Sequence, residues 1–259
     1  RFKDRWPGFE KIPIFATPYT ALAIKNRLDR PNRPRIVTID RNMRQKIGAF
    51  RVEWVRITHS APETTALAIT TPVGTIVIAS DVKLDSSPVL GTVSDTNRLQ
   101  RLGSDGVLAF LGDSTNAAKA GQSTSEGDVQ SSLIQVMKSF PGRVFLSTFS
   151  SNLARVEGAR RAAQASGRSM AIAGRSIVRN IEMAQKTGLI PAYATPAEPR
   201  SLKHATPRES LIVCTGSQAE PGSAMSRMAT SLDTGLVRRG DPVINPGDLI
   251  VHSARVIPG

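Results

Sequence analysis

The sequence predicts an α/β protein built in two parts. Residues 12–85 contain several runs in which apolar and polar residues alternate, and this pattern predicts a mostly antiparallel sheet with one helix. From about residue 95, short apolar runs alternate with helical stretches, which predicts a layered, parallel α/β sheet. We therefore expect a first domain over residues 1–95 and a second over residues 96–259, and the 259-residue chain is long enough to bury a sizeable core.

The first part opens with a strand, a turn and a helix in residues 12–28. Thr17 is the expected N-cap and Pro18 the first helical residue, because proline suits the first position of a helix. The run FRVEWVRITHS, residues 50–60, alternates as a strand does. ALAITTPVGTIVIASD, residues 66–81, holds two β runs around a Pro-Val-Gly turn and predicts a hairpin.

The second part alternates strands and helices. Strands are predicted at residues 107–111, 144–148, 170–173, 211–215 and 249–253. Helices are predicted at residues 125–139, 152–166, 177–187 and 222–232. The segment at 189–209 is rich in proline and is expected to be a loop.

Composition excludes several classes of protein. No apolar run approaches the roughly 20 residues that a membrane helix needs. The single cysteine, Cys214, excludes an internal disulfide framework and a thiolate metal cluster within one chain. The net charge is +13, and residues 1–60 hold 14 Lys and Arg against 5 Asp and Glu. A basic surplus of this kind attracts polyanions such as nucleic acid, although it is also compatible with an ordinary solvated surface.

Small polar segments follow four predicted strands of the second part. They are Asp113, Ser114, Thr115 and Asn116; Thr148, Phe149, Ser150, Ser151 and Asn152; Gly174, Arg175 and Ser176; and Thr215, Gly216, Ser217 and Gln218. Ligands bind at the carboxyl ends of parallel strands, and the free N–H groups of a following helix suit a phosphate. The same residue types also serve as ordinary helix caps and turns. The segments therefore favour a phosphate-rich ligand, which leaves open an unrelated nucleotide-binding α/β module.

The chain has three histidines, and one of them is a candidate metal ligand. His59 closes an alternating strand and Asp81 closes the second strand of the predicted hairpin, so the two could share a divalent metal such as zinc. Two residues alone do not make a zinc site, which needs three or four ligands. We expect His204 to be solvated in the Pro-rich loop and His252 to be a hydrogen-bonded core imidazole.

These segments resemble a known family in their order along the chain. FRVEWVRITHSAPETTALAITTPVGTIVIASDVKLD resembles the metallo-β-lactamase domain of bacterial ribonuclease J. GSDGVLAFLGDSTNAAKAGQSTSE is similar to the start of the inserted β-CASP domain of that family. FLSTFSSNLARV, the GRS at 174–176, LIVCTGSQAEP and the closing ARVIPG continue the resemblance. It implies part of a metallo-β-lactamase αββα sandwich followed by a β-CASP parallel α/β domain.

The resemblance also implies a chemistry. The family holds two zinc ions by histidines and aspartates and cleaves RNA from the 5′ end and internally, with a metal-bound hydroxide as nucleophile. His59 is similar to a metal-binding histidine of the family and Asp81 to the aspartate that bridges both metals. Asp113 falls on an acidic motif that opens the β-CASP insert. The strand-end segments are similar to those that line the RNA channel; they contribute Ser114, Thr115, Asn116, Ser150, Ser151, Asn152, Arg175, Ser176, Gly216 and Ser217.

The sequence departs from the family pattern at its metal site. The H-x-H-x-D-H motif and the last histidine motifs of the family are absent, so no catalytic set is complete and we expect the chain to lie between those motifs. The family has T-G-D-[FW]-K around the bridging aspartate, where this chain has Ala79, Ser80, Asp81, Val82 and Lys83. Ala219 replaces the second glycine of T-G-S-Q-G-E-P. Such changes alter the groups that surround and tune a metal.

Two hypotheses follow from the resemblance. In the first, the chain is a catalytically inactive, RNA-binding or structural subunit of a ribonucleoprotein, and it holds no zinc. In the second, it is a fragment of an active zinc-dependent exo- and endoribonuclease of RNA processing and decay. The missing ligands favour the first, whereas the survival of His59 and Asp81 favours the second. The expected partners are RNA and a second copy or ribosomal proteins, not a membrane, in the bacterial cytoplasm or in a bacterial-descended organelle such as the mitochondrion.

Overall fold

The structure is a computed structural model that describes residues 12–28, 34–192, 197–238 and 240–254. It divides into two compact units, Arg1–Ser86 with Gly91–Ser123, and Ser87–Leu90 with Thr124–Gly259. The division therefore falls later in the chain than the predicted one at residues 95 and 96. The closing ARVIPG motif lies almost wholly outside the described residues.

The first unit contains a short two-stranded sheet and a five-stranded sheet. Ile14–Ala16 (β1) pairs in parallel with Ile36–Thr38 (β2), and the helix Pro18–Arg27 (α1) follows β1. Thr17 is the N-cap of α1 and Pro18 its first residue, as predicted. The larger sheet has the order β3-β4-β5-β6-β7, with strands Arg44–Ile47 (β3), Phe50–Arg56 (β4), Thr65–Thr71 (β5), Gly74–Ile78 (β6) and Ala109–Leu111 (β7). The predicted hairpin at 66–81 is confirmed as β5 and β6.

The helix Thr96–Ser104 (α2) covers part of the five-stranded sheet. Leu102 of α2 packs in one buried cluster with Val55, Ala68 and Val77, which point to one face of β4, β5 and β6. On the opposite face of β4, Trp54 is buried and its ring lies 5.7 Å from that of Phe15. Both faces of the sheet are therefore covered where β4 ends, and this holds the strand ends in place.

The predicted strand at 107–111 belongs to the first sheet and not to the sheet of the second part. β7 pairs in parallel with β6, with Ile76 opposite Ala109 and Ile78 opposite Leu111. This corrects the sequence prediction, which placed the run at the start of the later α/β sheet. The reason is that strand pairing is nonlocal: β7 adds to the open edge of β6 after the intervening α2, and the short run itself carries no information about its neighbour.

The second unit is built on a four-stranded, all-parallel sheet of order β11-β8-β10-β9. Its strands are Val144–Ser147 (β8), Ser169–Ala173 (β9), Ser210–Cys214 (β10) and Leu249–His252 (β11), and its helices are Glu126–Ser139 (α3), Leu153–Ala165 (α4), Arg175–Lys186 (α5) and Ala224–Thr234 (α6). The strands and helices predicted after residue 124 are confirmed, whereas the strand predicted at 107–111 belongs to the other sheet. β8 and β10 lie in the middle of the sheet and are buried throughout, which explains their continuous apolar runs.

The predicted loop at 189–209 is not fully irregular. Its described residues include two short 3₁₀ helices, Pro199–Leu202 and Pro207–Glu209, and the second has a capping box between Thr206 and Glu209. Among the helices that the structure describes, none is long and apolar enough to cross a membrane.

Candidate functional site

Three strands of the first unit end at the same edge of the sheet. β4 and β6 both run antiparallel to β5, and β7 runs parallel to β6, so the carboxyl ends of β4, β6 and β7 coincide. His59, Asp81 and Asp113 follow those three ends by two or three residues. The topology therefore brings the three candidate residues of this unit to one edge.

Hydrogen bonds of Thr58 link the segment that contains His59 to the segment that contains Asp81. The Thr58 N–H donates to Ser94 Oγ at 2.8 Å, and the Thr58 hydroxyl donates to the Lys83 carbonyl. In return, the Lys83 N–H donates to the Thr58 carbonyl at 2.9 Å. These bonds hold the loop that starts at Asp81 against the end of β4. Thr58 was not singled out by the sequence.

Asp113 is held in a turn that favours its ionised form. Its Oδ1 accepts from the Thr115 hydroxyl at 2.5 Å and from the Thr115 N–H at 2.8 Å. These bonds lower the pKa of Asp113, and the Val82 N–H and the charge of His59 lower it further. The Asp113 side chain is exposed to solvent.

The described donors do not fit a zinc ion. In the described ranges 12–28, 34–192, 197–238 and 240–254, no three His, Cys, Asp or Glu side chains group closely enough to hold a metal. Zinc needs three or four such ligands. In addition, His59 Nδ1 accepts from the Ala61 N–H at 3.3 Å, whereas a histidine that binds zinc through Nε2 must carry a proton on Nδ1. His59 and Asp81 remain predicted ligands.

The second unit has a large cleft at the carboxyl edge of its parallel sheet, which we call the strand-end cleft. Its volume is about 980 Å³, and the segments that follow β8, β9 and β10 line it together with the start of α5. Four of the predicted phosphate-binding residues line this cleft: Ser150, Ser151, Arg175 and Ser176. The strand ends therefore meet around a common space, as the parallel topology requires.

The start of α5 opens into the strand-end cleft without a side-chain cap. Its N-cap is Gly174, so its first N–H groups are not bonded by a capping side chain. A Cβ at Gly174 would lie 2.8 Å from Thr215 Cγ2, so only glycine fits between the ends of β9 and β10. Arg175 and Arg179 are exposed, and neither forms an ion pair with a residue that the structure describes. A helix N-terminus and two arginines together suit an anion.

Three other predicted residues have different surroundings. Asn152 is the N-cap of α4, where its Oδ1 accepts from the Arg155 N–H at 3.0 Å. Gly216 and Ser217 do not line the strand-end cleft; Gly216 allows Ser223 and Met225 to approach its backbone, because a Cβ there would lie 2.5 Å from Ser223 Oγ. The cap at Asn152 is the ordinary structural role that such residues fill at helix starts.

The fourth predicted segment, Asp113 to Asn116, follows β7 and belongs to the first unit. This corrects the prediction that four segments share the edge of one parallel sheet. Only the segments after β8, β9 and β10 do so, because β7 is a strand of the other sheet. His204 is exposed, as expected. His252 was expected in the core but is exposed, and its Nδ1 forms a hydrogen bond of 2.9 Å with Ser147 Oγ.

Several residues of the strand-end cleft were not among the ten predicted phosphate-binding residues. Arg227 and Arg238 line it, and Arg227 is held by Asp241 through two bonds of 2.7 Å. Thr148 also lines it and is only 1% exposed, yet its hydroxyl has no hydrogen-bond partner among the described residues. Arg179 could have been found from the sequence, because it lies one helical turn after Arg175 and on the same face.

The fold agrees with that of known proteins to which the chain is similar. Residues 141–259 match the family model described as ribonuclease J, beta-CASP domain. The chain is 36% identical to ribonuclease J of Sinorhizobium meliloti over 99% of its own length and 45% of that protein. It is 36% identical to ribonuclease J of Corynebacterium glutamicum and 32% identical to that of Thermus thermophilus, with 96% of this chain and 34% and 43% of those proteins covered. The chain spans less than half the length of these relatives.

A similar fold occurs among solved structures. One example is the crystal structure of a protein of unknown function from Enterococcus faecalis, with a TM-score of 0.52 and 18% identity over 78% of this chain and 52% of that one. The two-unit fold, with its strand-end segments, defines a protein of metallo-β-lactamase and β-CASP architecture, as the resemblance predicted. Within that class, the chain belongs to the ribonuclease J family.

Proposed function

We propose that this chain binds RNA through the strand-end cleft and does not cleave RNA by itself. The observation that carries the proposal is the uncapped start of α5, which opens into a cleft of about 980 Å³ beside Arg175 and Arg179. Relatives that bear the name ribonuclease J support RNA as the polyanion. A bacterial cell is the setting that these relatives support, and a homodimer or ribonucleoprotein partner remains part of the proposal.

The chemistry of the strand-end cleft suits a phosphate better than a base. The N–H groups at the start of α5 and the guanidinium groups of Arg175 and Arg179 are donors for phosphate oxygens. The hydroxyls of Ser150, Ser151 and Ser176 add neutral donors along the same edge. Phe149 is the aromatic residue among the described lining, and it is partly buried, so base stacking has little surface to use. Binding through phosphates is expected to be largely independent of sequence.

The lack of cleavage follows from the donor set of the first unit. His59 and Asp81 are the two predicted ligands, and no third His, Cys, Asp or Glu among the described residues groups with them. Hydrolysis of a phosphodiester by the family's chemistry needs metal ions to activate water and to neutralise developing charge. We therefore propose that these 259 residues alone lack the activity.

A second function has support from one observation. His59, Asp81 and Asp113 follow strands whose carboxyl ends lie at one edge of the sheet. This arrangement suits part of a larger zinc-dependent ribonuclease whose remaining ligands lie outside this chain. A third candidate, a small phosphorylated ligand in the strand-end cleft, uses the same donors.

Equilibrium binding to a 5′-monophosphorylated single-stranded RNA, measured by fluorescence anisotropy at several salt concentrations, tests the first proposal. The wild-type chain should bind with an affinity that falls steeply as salt rises, because phosphate binding releases counterions. Arg175→Gln with Arg179→Gln should flatten the dependence of log affinity on log salt by about 0.7 for each phosphate that the variant no longer neutralises. Lys138→Gln with Lys186→Gln is the matched control, because both lysines are exposed, lie near the C-terminal ends of their helices and do not line the cleft.

Equal losses of affinity in the two double variants would show that only net charge matters and would overturn the cleft as the binding site. Competition by a free nucleotide that removes all RNA binding at a single site would favour the small-ligand alternative. Incubation of the same RNA with the chain and added zinc tests the absence of cleavage. Chelator-sensitive cleavage that His59→Ala abolishes would overturn that part of the proposal and support the second function.

A further inference from the structure

The first unit has a basic groove on the hairpin of β3 and β4, which we call the hairpin groove. It has a volume of about 340 Å³, and the side chains that form it come from β3, β4, β5 and the start of α2. The charged and polar residues used below are Arg44, Lys46, Arg51, Glu53, Thr70 and Arg98. Four cations and one carboxylate thus surround a small open space.

The register of the hairpin places like charges directly opposite each other. Lys46 of β3 pairs with Arg51 of β4, and a two-residue turn at Gly48 and Ala49 fixes this register. Cross-strand neighbours share one face of a sheet, and like charges in that relation destabilise the pair. Lys46 and Arg51 are both exposed, and neither forms an ion pair with any residue that the structure describes. A bound anion would relieve their repulsion.

The carboxylate of the hairpin groove is already engaged. Glu53 is buried, and both its oxygens accept from Arg98, at 2.7 and 2.8 Å. Arg44 approaches the same carboxylate at 3.2 Å from the exposed end of β3. Glu53 therefore neutralises the inner part of the groove, while Lys46 and Arg51 present uncompensated charge to solvent at its outer part.

We propose that the hairpin groove binds the phosphodiester backbone of RNA, as a site distinct from the strand-end cleft. RNA as the source of the phosphates rests on the proposed function. Guanidinium and ammonium groups are suitable donors for phosphate oxygens, and Thr70, opposite Arg51, adds a hydroxyl. The described lining has no aromatic side chain, so the groove contacts the backbone and does not read bases. The groove thereby gives the basic first part of the chain a specific role.

The test compares RNA affinity between two double variants of the first unit in the 259-residue chain. Lys46→Gln with Arg51→Gln should lower affinity for the 5′-monophosphorylated RNA on the order of tenfold at about 0.1 M salt, and reduce the salt slope by about 1.4, because two phosphates are no longer neutralised. Lys25→Gln with Arg27→Gln is the control, because both residues are exposed on α1 outside the groove and the change in charge is the same. Arg51→Lys should keep most of the affinity, which separates lost charge from lost folding.

The outcomes separate this inference from the proposed function. If the cleft variant loses affinity and the groove variant behaves like the α1 control, the hairpin groove does not bind RNA although the proposed function stands. If the wild-type chain shows no salt-dependent RNA binding, the proposed function itself fails. Binding of poly-glutamate that the groove variant abolishes, with RNA affinity unchanged, would assign the groove to an acidic protein partner and overturn the proposal.

Discussion

Arg155 near the start of α4 binds Glu126 at the start of α3 through two hydrogen bonds of 3.0 and 3.1 Å. The side chains are only 13% and 10% exposed, so the pair is almost desolvated. Arg155 also donates to the Ser253 carbonyl at 2.9 Å, beyond the end of β11. One guanidinium thereby joins two helices to the segment that follows an edge strand of the parallel sheet.

We expect Arg155→Met to lower the free energy of unfolding by about 3–5 kcal/mol, because it removes the guanidinium that neutralises the buried Glu126 carboxylate. Urea denaturation at neutral pH measures the change. Arg200→Met is the control: its ion pair with Glu198 is 78% and 66% exposed, and such pairs contribute at most about 1 kcal/mol. Similar destabilisation of both variants would contradict the assigned importance of the buried pair.

The folded chain should be less stable with Ala219 than with glycine at the same position. It has a φ of 54°, in the left-handed region where a Cβ is unfavourable by roughly 1–2 kcal/mol. Ala219→Gly removes that cost but increases the entropy of the unfolded chain, so we expect a net stabilisation of about 0.5–1 kcal/mol. Thermal unfolding measures it, with Gly188→Ala, at a φ of 70°, as the reverse control that should destabilise. A destabilised Ala219→Gly would contradict the strain.

The pair of Glu53 and Arg98 predicts a specific loss of stability in acid. The hydrogen bonds from Arg98 lower the pKa of Glu53 below its ordinary value of 4.5, against the opposite effect of burial. A carboxyl whose pKa is lowered by folding stabilises the protein above its unfolded pKa, and this contribution disappears as pH falls through the folded value. The stabilisation is therefore full near about pH 6 and declines below about pH 4.5.

Glu53→Gln should lack this pH-dependent component. We expect the melting temperature of the wild-type chain to fall more between about pH 6 and about pH 3 than that of the variant, because glutamine does not titrate. Glu198→Gln is a control, because the Glu198 side chain is 66% exposed. Parallel curves for the wild type and Glu53→Gln would contradict the lowered pKa.

Much of the fold was predictable from local pattern, and the exceptions have physical causes. β8 and β10 were predicted because burial on both faces requires continuous apolar runs. α2 was missed because TNRLQRLGS offers only two leucines to the core and is otherwise polar. The partner of β7 was assigned to the wrong sheet because neighbour choice depends on contacts distant in sequence.

The candidate sites were predictable to a similar degree. Position at strand ends located Arg175 and Ser176 in the strand-end cleft, since parallel topology brings those ends together. The sequence did not distinguish Asn152, which caps a helix, from its neighbours Ser150 and Ser151, which line the cleft. That distinction depends on side-chain direction in the folded chain. The hairpin groove could not be predicted from the sequence either, because Lys46 lies opposite Arg51 only as a result of the strand register.

Zinc titration tests the donor set of the first unit without any assay of activity. We expect the 259-residue chain to retain less than one equivalent of zinc after dialysis against a weak chelator, because His59 and Asp81 are too few ligands for a stable site. His59→Ala should retain the same small amount as His204→Ala, whose histidine is exposed. One tightly bound equivalent that disappears in His59→Ala alone would contradict this expectation.

Thr148→Val should stabilise the chain. The Thr148 hydroxyl is buried at the end of β8 and has no hydrogen-bond partner among the described residues, and a buried hydroxyl without a partner costs about 1–3 kcal/mol. Valine has the same shape and no polar atom, so we expect a gain of about 1 kcal/mol in the free energy of unfolding. Thr58→Val is the contrast, because that hydroxyl bonds to Ser94 at 2.9 Å and to the Lys83 carbonyl, and its removal should destabilise. If Thr148→Val destabilises the chain as much as Thr58→Val does, the Thr148 hydroxyl has a hydrogen-bond partner in solution. Its contribution at the strand-end cleft is then to stability.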